Sequence, residues 1–147
     1  QLRVNYKMVN SPRVVIAFDF GLRNIGVAIG QEVTKSASTF YVIKAKEGEP
    51  DWKELDIIIE EWNPNLLVVG DPLNMDGTGS NIKKRSDKFA ASLKNRYGID
   101  LHLMDERLTT KEAAERIKSP STGLKEATNM HSISAQIILE DWFRSVG

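Results

Sequence analysis

A short apolar strand that ends in a carboxylate constrains the fold of this chain more than any other feature. Residues 14–18 are all apolar, and Asp19 follows them directly. A second strand-like run, residues 99–104, leads into Asp105 and Glu106. Short aliphatic runs bounded by turn residues are typical of buried strands. The pattern therefore predicts adjacent strand ends that bring carboxylates together, the arrangement with which proteins hold Mg²⁺ or Mn²⁺.

The composition indicates one compact domain. The chain has 147 residues, of which 41% are hydrophobic, enough for a single sizeable core. Because the sequence starts with Gln1 rather than Met, we expect residues 1–12 to be a peripheral extension or remnant and residues 13–147 to form the domain.

Cysteine content and net charge limit the expected cellular location and binding partners. The absence of cysteine excludes disulfides and thiolate metal sites and fits a cytoplasmic location. No stretch has the length of a membrane span or the pattern of a signal peptide, so we expect no membrane partner. The formal net charge of zero argues against tight nonspecific binding of nucleic acid but leaves room for a local basic patch.

Hydrophobic periodicity predicts an α/β fold. Strands are predicted at 14–19, 24–30, 38–44, 65–70 and 99–106, and helices at 52–62, 80–97, 109–117 and 130–144. The first three strands are expected to be antiparallel, and βαβ crossovers follow them. The prediction is a mixed five-stranded sheet flanked by helices.

Three segments, taken in order, carry a resemblance to a known family. They are Ala17-Phe18-Asp19-Phe20-Gly21 with Ile25-Gly26-Val27-Ala28, Val69-Gly70 with Pro72-Leu73-Asn74-Met75-Asp76-Gly77, and Asp105-Glu106-Arg107-Leu108-Thr109. The chain resembles, over residues 14–143, the YqgF-like proteins of ribonuclease H-like fold. That family is described as candidate pre-16S rRNA nucleases or Holliday-junction-resolvase-like proteins.

The resemblance implies which residues form the site. Asp19 and Glu106 match two of the family's catalytic acids. The family places a third acid, an Asp, near the start of the final helix, where this chain has His131. His131 is then either a metal ligand and proton carrier or a boundary histidine that donates to the backbone. Asp19 has an alternative role as well, as the cap of the Phe20-Gly21 turn.

Phosphodiester hydrolysis explains why such residues would be needed. Two divalent ions about 4 Å apart can activate water and stabilise the leaving oxygen if carboxylates anchor them. We therefore expect two Mg²⁺ or Mn²⁺ ions on Asp19, Glu106 and His131. Because strand residues alternate between faces, Asp105 and Glu106 cannot both face the ions, and we assign Glu106 to the metal unless a bulge exchanges them. His131 is predicted in the first turn of the last helix, where the helix dipole favours a neutral ring.

Two arginines lie next to the acids in sequence. Arg23 and Arg107 are predicted to contact substrate phosphate, since a guanidinium binds phosphate through paired donors. The basic residues of the helix at 80–97, which include Lys84, are interpreted as a solvated outer face. His102, in the middle of its strand, is interpreted as a packing or surface residue.

The resemblance implies a metal-dependent nuclease that processes the 5′ end of pre-16S rRNA. Resolution of Holliday junctions in DNA recombination is the alternative substrate assignment, and a noncatalytic nucleic-acid-binding module is the alternative class. An ATPase of the actin type shares the first strand and its turn, but it needs two such domains. Nucleic acid is the expected partner, as RNA or branched DNA, and both a monomer and a homodimer are compatible with the sequence.

Overall fold

The computed structural model describes residues 13–71, 80–105 and 124–146. The predicted extension at 1–12 and the predicted helix at 109–117 lie outside these ranges. The described elements, in chain order, are strands β1 (Val14–Asp19), β2 (Asn24–Gln31), β3 (Ser36–Lys46) and β4 (Glu49–Pro50), helix α1 (Trp52–Trp62), strand β5 (Leu66–Asp71), helix α2 (Ser80–Tyr97), strand β6 (Asp100–Asp105) and helix α3 (Leu124–Val146).

The described strands form one six-stranded sheet in the order β4-β3-β2-β1-β5-β6. β1 is antiparallel to β2 and parallel to β5, and β6 is parallel to β5. The α/β class and the antiparallel start are therefore confirmed, but the count of five strands was wrong. The extra strand arises because β3 runs on to Lys46 and turns back through Glu47 and Gly48, whose φ angles are 51° and 87°.

Helices cover both faces of the sheet, and alternate residues of each strand face opposite layers. Ile16 and Phe18 of β1 pack into the larger core with α1 and α2. Val15 and Ala17 pack into a second core against α3. Since Asp19 follows this alternation, its side chain emerges on the α3 face.

Helix α1 is capped at its N-terminus and is bonded to α2 along one side. The Asp51 carboxylate accepts the backbone N–H groups of Lys53 and Glu54, which caps the helix. Asp56 accepts two hydrogen bonds from Arg96 of α2, at 2.8 and 2.7 Å, and a third from the Tyr97 hydroxyl at 2.5 Å. The bonds from Arg96 and then Tyr97 lower the pKa of Asp56 to about 2. This cluster joins α1 to α2.

The last helix begins earlier than predicted. The structure starts α3 at Leu124, whereas the sequence pattern suggested a start near residue 130. The added segment, residues 124–129, contains Leu, Lys, Glu and Ala, which are strong helix formers, and these outweigh the cap-like Asn129. No helix in the described ranges has the length and apolar character needed to cross a membrane.

Candidate functional site

Asp19 ends β1 well inside the sheet, with β2 on one side and β5 on the other. The residue is only 7% exposed. A carboxylate this far from water is costly unless other groups compensate its charge. The position therefore suits a carboxylate that is held in place to bind something.

His131 supplies one partner for this carboxylate. Its Nδ1 atom lies 3.1 Å from Oδ2 of Asp19, although the two residues are 112 positions apart in the chain. Ala135 and Ile138 follow His131 at helical spacing and pack on the sheet, so the histidine continues the sheet-facing side of α3. The sequence analysis assigned both residues to one site, and the structure brings them into direct contact.

The expected helical position of His131 was wrong. It is the eighth residue of α3, two turns from the start, because the helix begins at Leu124. The field of a helix terminus falls off within the first turn, so the dipole argument for a neutral ring does not apply here. The adjacent carboxylate of Asp19 is the local charge that faces the ring.

Gly26 explains how the helix comes so close. It lies directly opposite Asp19 in the β1–β2 register. A Cβ atom at Gly26 would stand 2.0 Å from the carbonyl oxygen of His131, so only glycine lets the α3 backbone rest on β2 at this point. Sequence reasoning missed this role. The signal was present in Gly26, Ala28 and Gly30, small residues at alternate positions of one strand face.

The turn between β1 and β2 also reaches the histidine. A Cβ atom at Gly21 would stand 3.1 Å from Cε1 of His131, so the turn passes beside the imidazole. Arg23 in this turn accepts a backbone hydrogen bond from Ala45 at 2.8 Å, while its side chain is exposed. Within the described ranges no ion pair to Arg23 is formed, so its guanidinium is available to an anion.

The β3–β4 turn supports the β1–β2 turn from behind. The Gly48 N–H donates to the Leu22 carbonyl at 2.9 Å, and Arg85 of α2 donates to the Glu47 carbonyl at 2.7 Å. Arg85 therefore also has a structural role, while its side chain remains 42% exposed on the solvated face of α2. Lys84, one residue earlier, is exposed as predicted.

The end of β6 does not adjoin the end of β1 as the sequence suggested, because β5 lies between them. Gly70 of β5 pairs with both Asp19 and Met104. Met104 packs into the α3-side core, so it shares the face of Asp19. Glu106 and Arg107, which the sequence assigned to metal and phosphate, lie outside the described residues. His102 is exposed and stacks on Trp142 at 4.6 Å, which confirms its packing role.

The pair of Asp19 and His131 fits a divalent cation. A carboxylate oxygen and an imidazole nitrogen are donor types that Mg²⁺ or Mn²⁺ would accept, and here they stand 3.1 Å apart. If Nδ1–H instead donates to Asp19, Nε2 would be the atom that binds a metal or carries a proton. Among the side chains that the structure describes, no group of three acids or histidines forms a complete metal site.

Comparison with known proteins agrees with this fold. The family model described as RuvX, Holliday junction resolvase, matches residues 13–145. A Nitrosococcus oceani protein named as a candidate pre-16S rRNA nuclease is 46% identical over 133 residues, 90% of this chain and 88% of that protein. A Buchnera aphidicola subsp. Schizaphis graminum protein with the same name is 47% identical over 131 residues, 88% of this chain and 96% of that protein.

A solved structure supports the fold class. T. thermophilus RuvC, determined in complex with a Holliday junction substrate, has a TM-score of 0.56 to this chain at 14% identity. The match covers 90% of this chain and 94% of that chain. At this identity the likeness concerns the fold, and it confirms the predicted ribonuclease H-like class.

Proposed function

The chain belongs to the RuvX family of Holliday junction resolvases, and from that membership we propose that it is a divalent-metal-dependent nuclease that processes the 5′ end of pre-16S rRNA in the cytoplasm. The observation that carries the proposal is the contact of Asp19 with His131 at 3.1 Å, on a nearly buried strand end. The names of relatives at 46% and 47% identity support the choice of RNA.

Asp19, Glu106 and His131 would hold the metal in this proposal. Mg²⁺ or Mn²⁺, when bound, supplies Lewis-acid activation of water and neutralises charge on the phosphate. Asp19 anchors from the sheet, and His131 presents its ring from α3 at a position set by Gly26. We expect His131 also to pass a proton to the departing 3′ oxygen when Nε2 carries that proton.

The alternation of side chains along β6 supports the choice of Glu106 as the metal ligand. Met104 faces the α3 side with Asp19, and Glu106 is two residues further along the chain, whereas Asp105 has the opposite parity. Gly70 separates Asp19 from Met104 in register and contributes no side chain between them.

Arg23 and Arg107 would bind substrate phosphate in the same proposal. Arg23 is exposed in the turn that passes His131, and its backbone is fixed by Ala45. A fixed backbone with a solvated guanidinium lets the side chain bind an anion without breaking an existing ion pair within the described ranges. Arg107 is assigned by its position next to Glu106 in the sequence.

Cleavage of four-way DNA junctions is the second candidate, because the family model is described as a Holliday junction resolvase. The metal chemistry is the same for both substrates, so the difference lies in substrate shape. Paired cuts across a junction would favour a two-fold homodimer, while trimming of one RNA end requires only a monomer.

The test is a cleavage assay on the full chain. An end-labelled pre-16S leader RNA and a labelled four-way junction are each incubated with Mg²⁺, Mn²⁺ or chelator. Wild type should cut the leader with either metal and not with chelator, and Asp19→Asn should be inactive at unchanged melting temperature. Asp100→Asn, at the exposed start of β6, is the matched control and should cut normally. Cleavage of the junction alone would select the second candidate, and metal-independent binding without cleavage would identify a noncatalytic module.

A further inference from the structure

An exposed aromatic patch lies between β3 and α1, on the side of the sheet opposite Asp19. It consists of Phe40, Tyr41 and Trp62, which are 39%, 43% and 37% exposed. The ring of Phe40 meets that of Trp62 at 5.7 Å and that of Tyr41 at 6.1 Å. A contiguous cluster of large apolar side chains on the surface is typical of an interaction site, unlike single exposed residues.

A register shift in the sheet creates the patch. The pairing of β2 with β3 slips between Val27 and Ala28, next to Phe40, so Phe40 and Tyr41 both reach α1 although they are neighbours on a strand. The Tyr41 hydroxyl donates to Oε2 of Glu54 at 2.8 Å, which sets the strand against the helix. Within the described ranges, β4 pairs only with Ala45 and Lys46, and no strand pairs with β3 before them, although Gln136 of α3 donates to the Ala37 carbonyl near the start of β3 at 3.0 Å.

The charge around the patch is acidic. Glu54 contacts Tyr41 of β3, and Glu61 follows Glu54 two turns later on the same side of α1. Glu60 and Lys53 lie further round the same helix, and Asp56 is already paired with Arg96. Among the described residues, α1 therefore carries Glu54, Glu60 and Glu61 against one lysine, Lys53, outside the pair of Asp56 with Arg96.

We propose that the aromatic patch binds an extended cationic polypeptide segment of a partner protein, with arginine or lysine alternating with aliphatic residues. The open edge of β3 can pair with an added strand, and an added strand presents every second side chain to the patch. A guanidinium over an aromatic ring is stabilised by the ring quadrupole, and flanking acids strengthen that contact. The chain already makes such a contact internally, where Arg96 lies 5.1 Å from the centre of the Trp52 ring.

The acidic residues beside the patch disfavour two other binding partners, single-stranded nucleic acid and a second copy of the chain. Single-stranded nucleic acid stacks on aromatic rings but needs basic side chains for its phosphates, and Glu54 and Glu61 repel them. A second copy related by a two-fold axis would place the two acidic flanks against each other. A basic partner meets neither penalty. The proposal does not rest on the nuclease activity, because the patch lies on the face of the sheet opposite Asp19 and His131.

Titration followed by heteronuclear NMR of the full chain tests the proposal. The probe is an eight-residue peptide that alternates arginine and valine, and the control peptide has glutamate in place of arginine. Shifts should be confined to β3 and α1 and occur only with the arginine peptide. Trp62→Ala should weaken binding about tenfold, and Glu61→Lys about threefold. Phe40→Thr is the second test if Trp62→Ala does not fold, and Val33→Ala, exposed in the β2–β3 turn, should change nothing.

Several outcomes would overturn the inference. The first is the absence of chemical-shift changes at millimolar arginine peptide. The second is a peptide affinity of the Trp62→Ala and Phe40→Thr variants equal to that of wild type. The third is shift changes at the patch with an oligouridine probe instead of the peptide. A concentration-dependent dimer in sedimentation that Trp62→Ala abolishes would assign the patch to a second copy and also overturn it. Nucleic acid cleavage by Trp62→Ala should equal that of wild type, so loss of peptide binding and loss of the proposed function are separate results.

Discussion

Replacing Gly26 with alanine should damage the site through the backbone alone. The new Cβ atom would stand 2.0 Å from the carbonyl oxygen and 2.1 Å from the carbonyl carbon of His131. Ordinary contact requires at least 3.4 Å, so α3 has to move by about 1.4 Å at this point. Both colliding groups are backbone, and neither can turn away as a flexible side chain would.

The size of the effect follows from this displacement. Overpacking a well-packed core costs about 1–3 kcal/mol, and a backbone collision belongs at the upper end of that range. About 3 kcal/mol corresponds to a melting temperature lower by roughly 6–12 °C for a domain of this size. A misplacement of about 1 Å at a catalytic group can reduce turnover about 100-fold, which is the loss we expect per folded molecule.

Gly30→Ala is the matched control on the same face of β2. Its Cβ atom would stand 2.2 Å from the Ser36 carbonyl oxygen and 2.9 Å from Leu139, so the variant should also lose stability, but away from His131. Melting temperature, turnover per folded molecule and the ring NMR signals of the chain's two histidines are measured for both variants. The reasoning fails if Gly26→Ala melts like wild type, or if its turnover and His131 signals change no more than those of Gly30→Ala.

Three further predictions address the site and the α1–α2 contact. His131→Ala should reduce cleavage strongly and lower the melting temperature little. His131→Asp should keep or raise Mg²⁺-dependent cleavage, because a carboxylate is the harder ligand. A large drop in melting temperature with unchanged turnover for His131→Ala would show that the ring serves packing. Arg23→Ala should weaken substrate binding and lower the salt slope by about one, with Lys84→Ala as the control, and an unchanged slope would remove Arg23 from phosphate binding. Because the pKa of Asp56 is lowered to about 2 in the folded state, from 3.8, its stabilising effect is complete above about pH 5 and is lost as pH falls toward 2. Melting curves from pH 6 to pH 2 should therefore fall less steeply for Asp56→Asn than for wild type, and equal slopes would contradict the role of this carboxylate.

Periodicity was sufficient for elements whose burial pattern is regular. The apolar run before Asp19 predicted a strand at 14–19, which is the observed range of β1. The observed ranges of α1 and α2 also agree with the predicted helices at 52–62 and 80–97. The start of α3 was wrong because Asn129 looks like a cap while the residues before it favour helix. Local sequence signals conflict there, and packing along the helix decides between them.

Long-range order could not be predicted in the same way. The insertion of β5 between β1 and β6 depends on how the crossovers pack, and no local pattern in either strand records it. The resemblance to a family brought Asp19 and His131 together as candidates, but the contact between them depends on Gly26, a residue without a side chain. Strand alternation also placed Phe40 and Tyr41 on opposite faces, and only the register shift shows that both contact α1.

The 112-residue separation of Asp19 from His131 has a consequence for the order of events during synthesis. The strands β1 to β3 form a local meander that can pair as soon as it leaves the ribosome, and their contacts span short stretches of chain. The carboxylate of Asp19 is then already in place but has no histidine beside it. Only when α3 has been released and has docked on Gly26 do both side chains meet. From the proposed site we therefore expect no nuclease activity while the chain is being made. Activity in a translation reaction should appear after the full-length chain, with a delay set by the docking of its last helix.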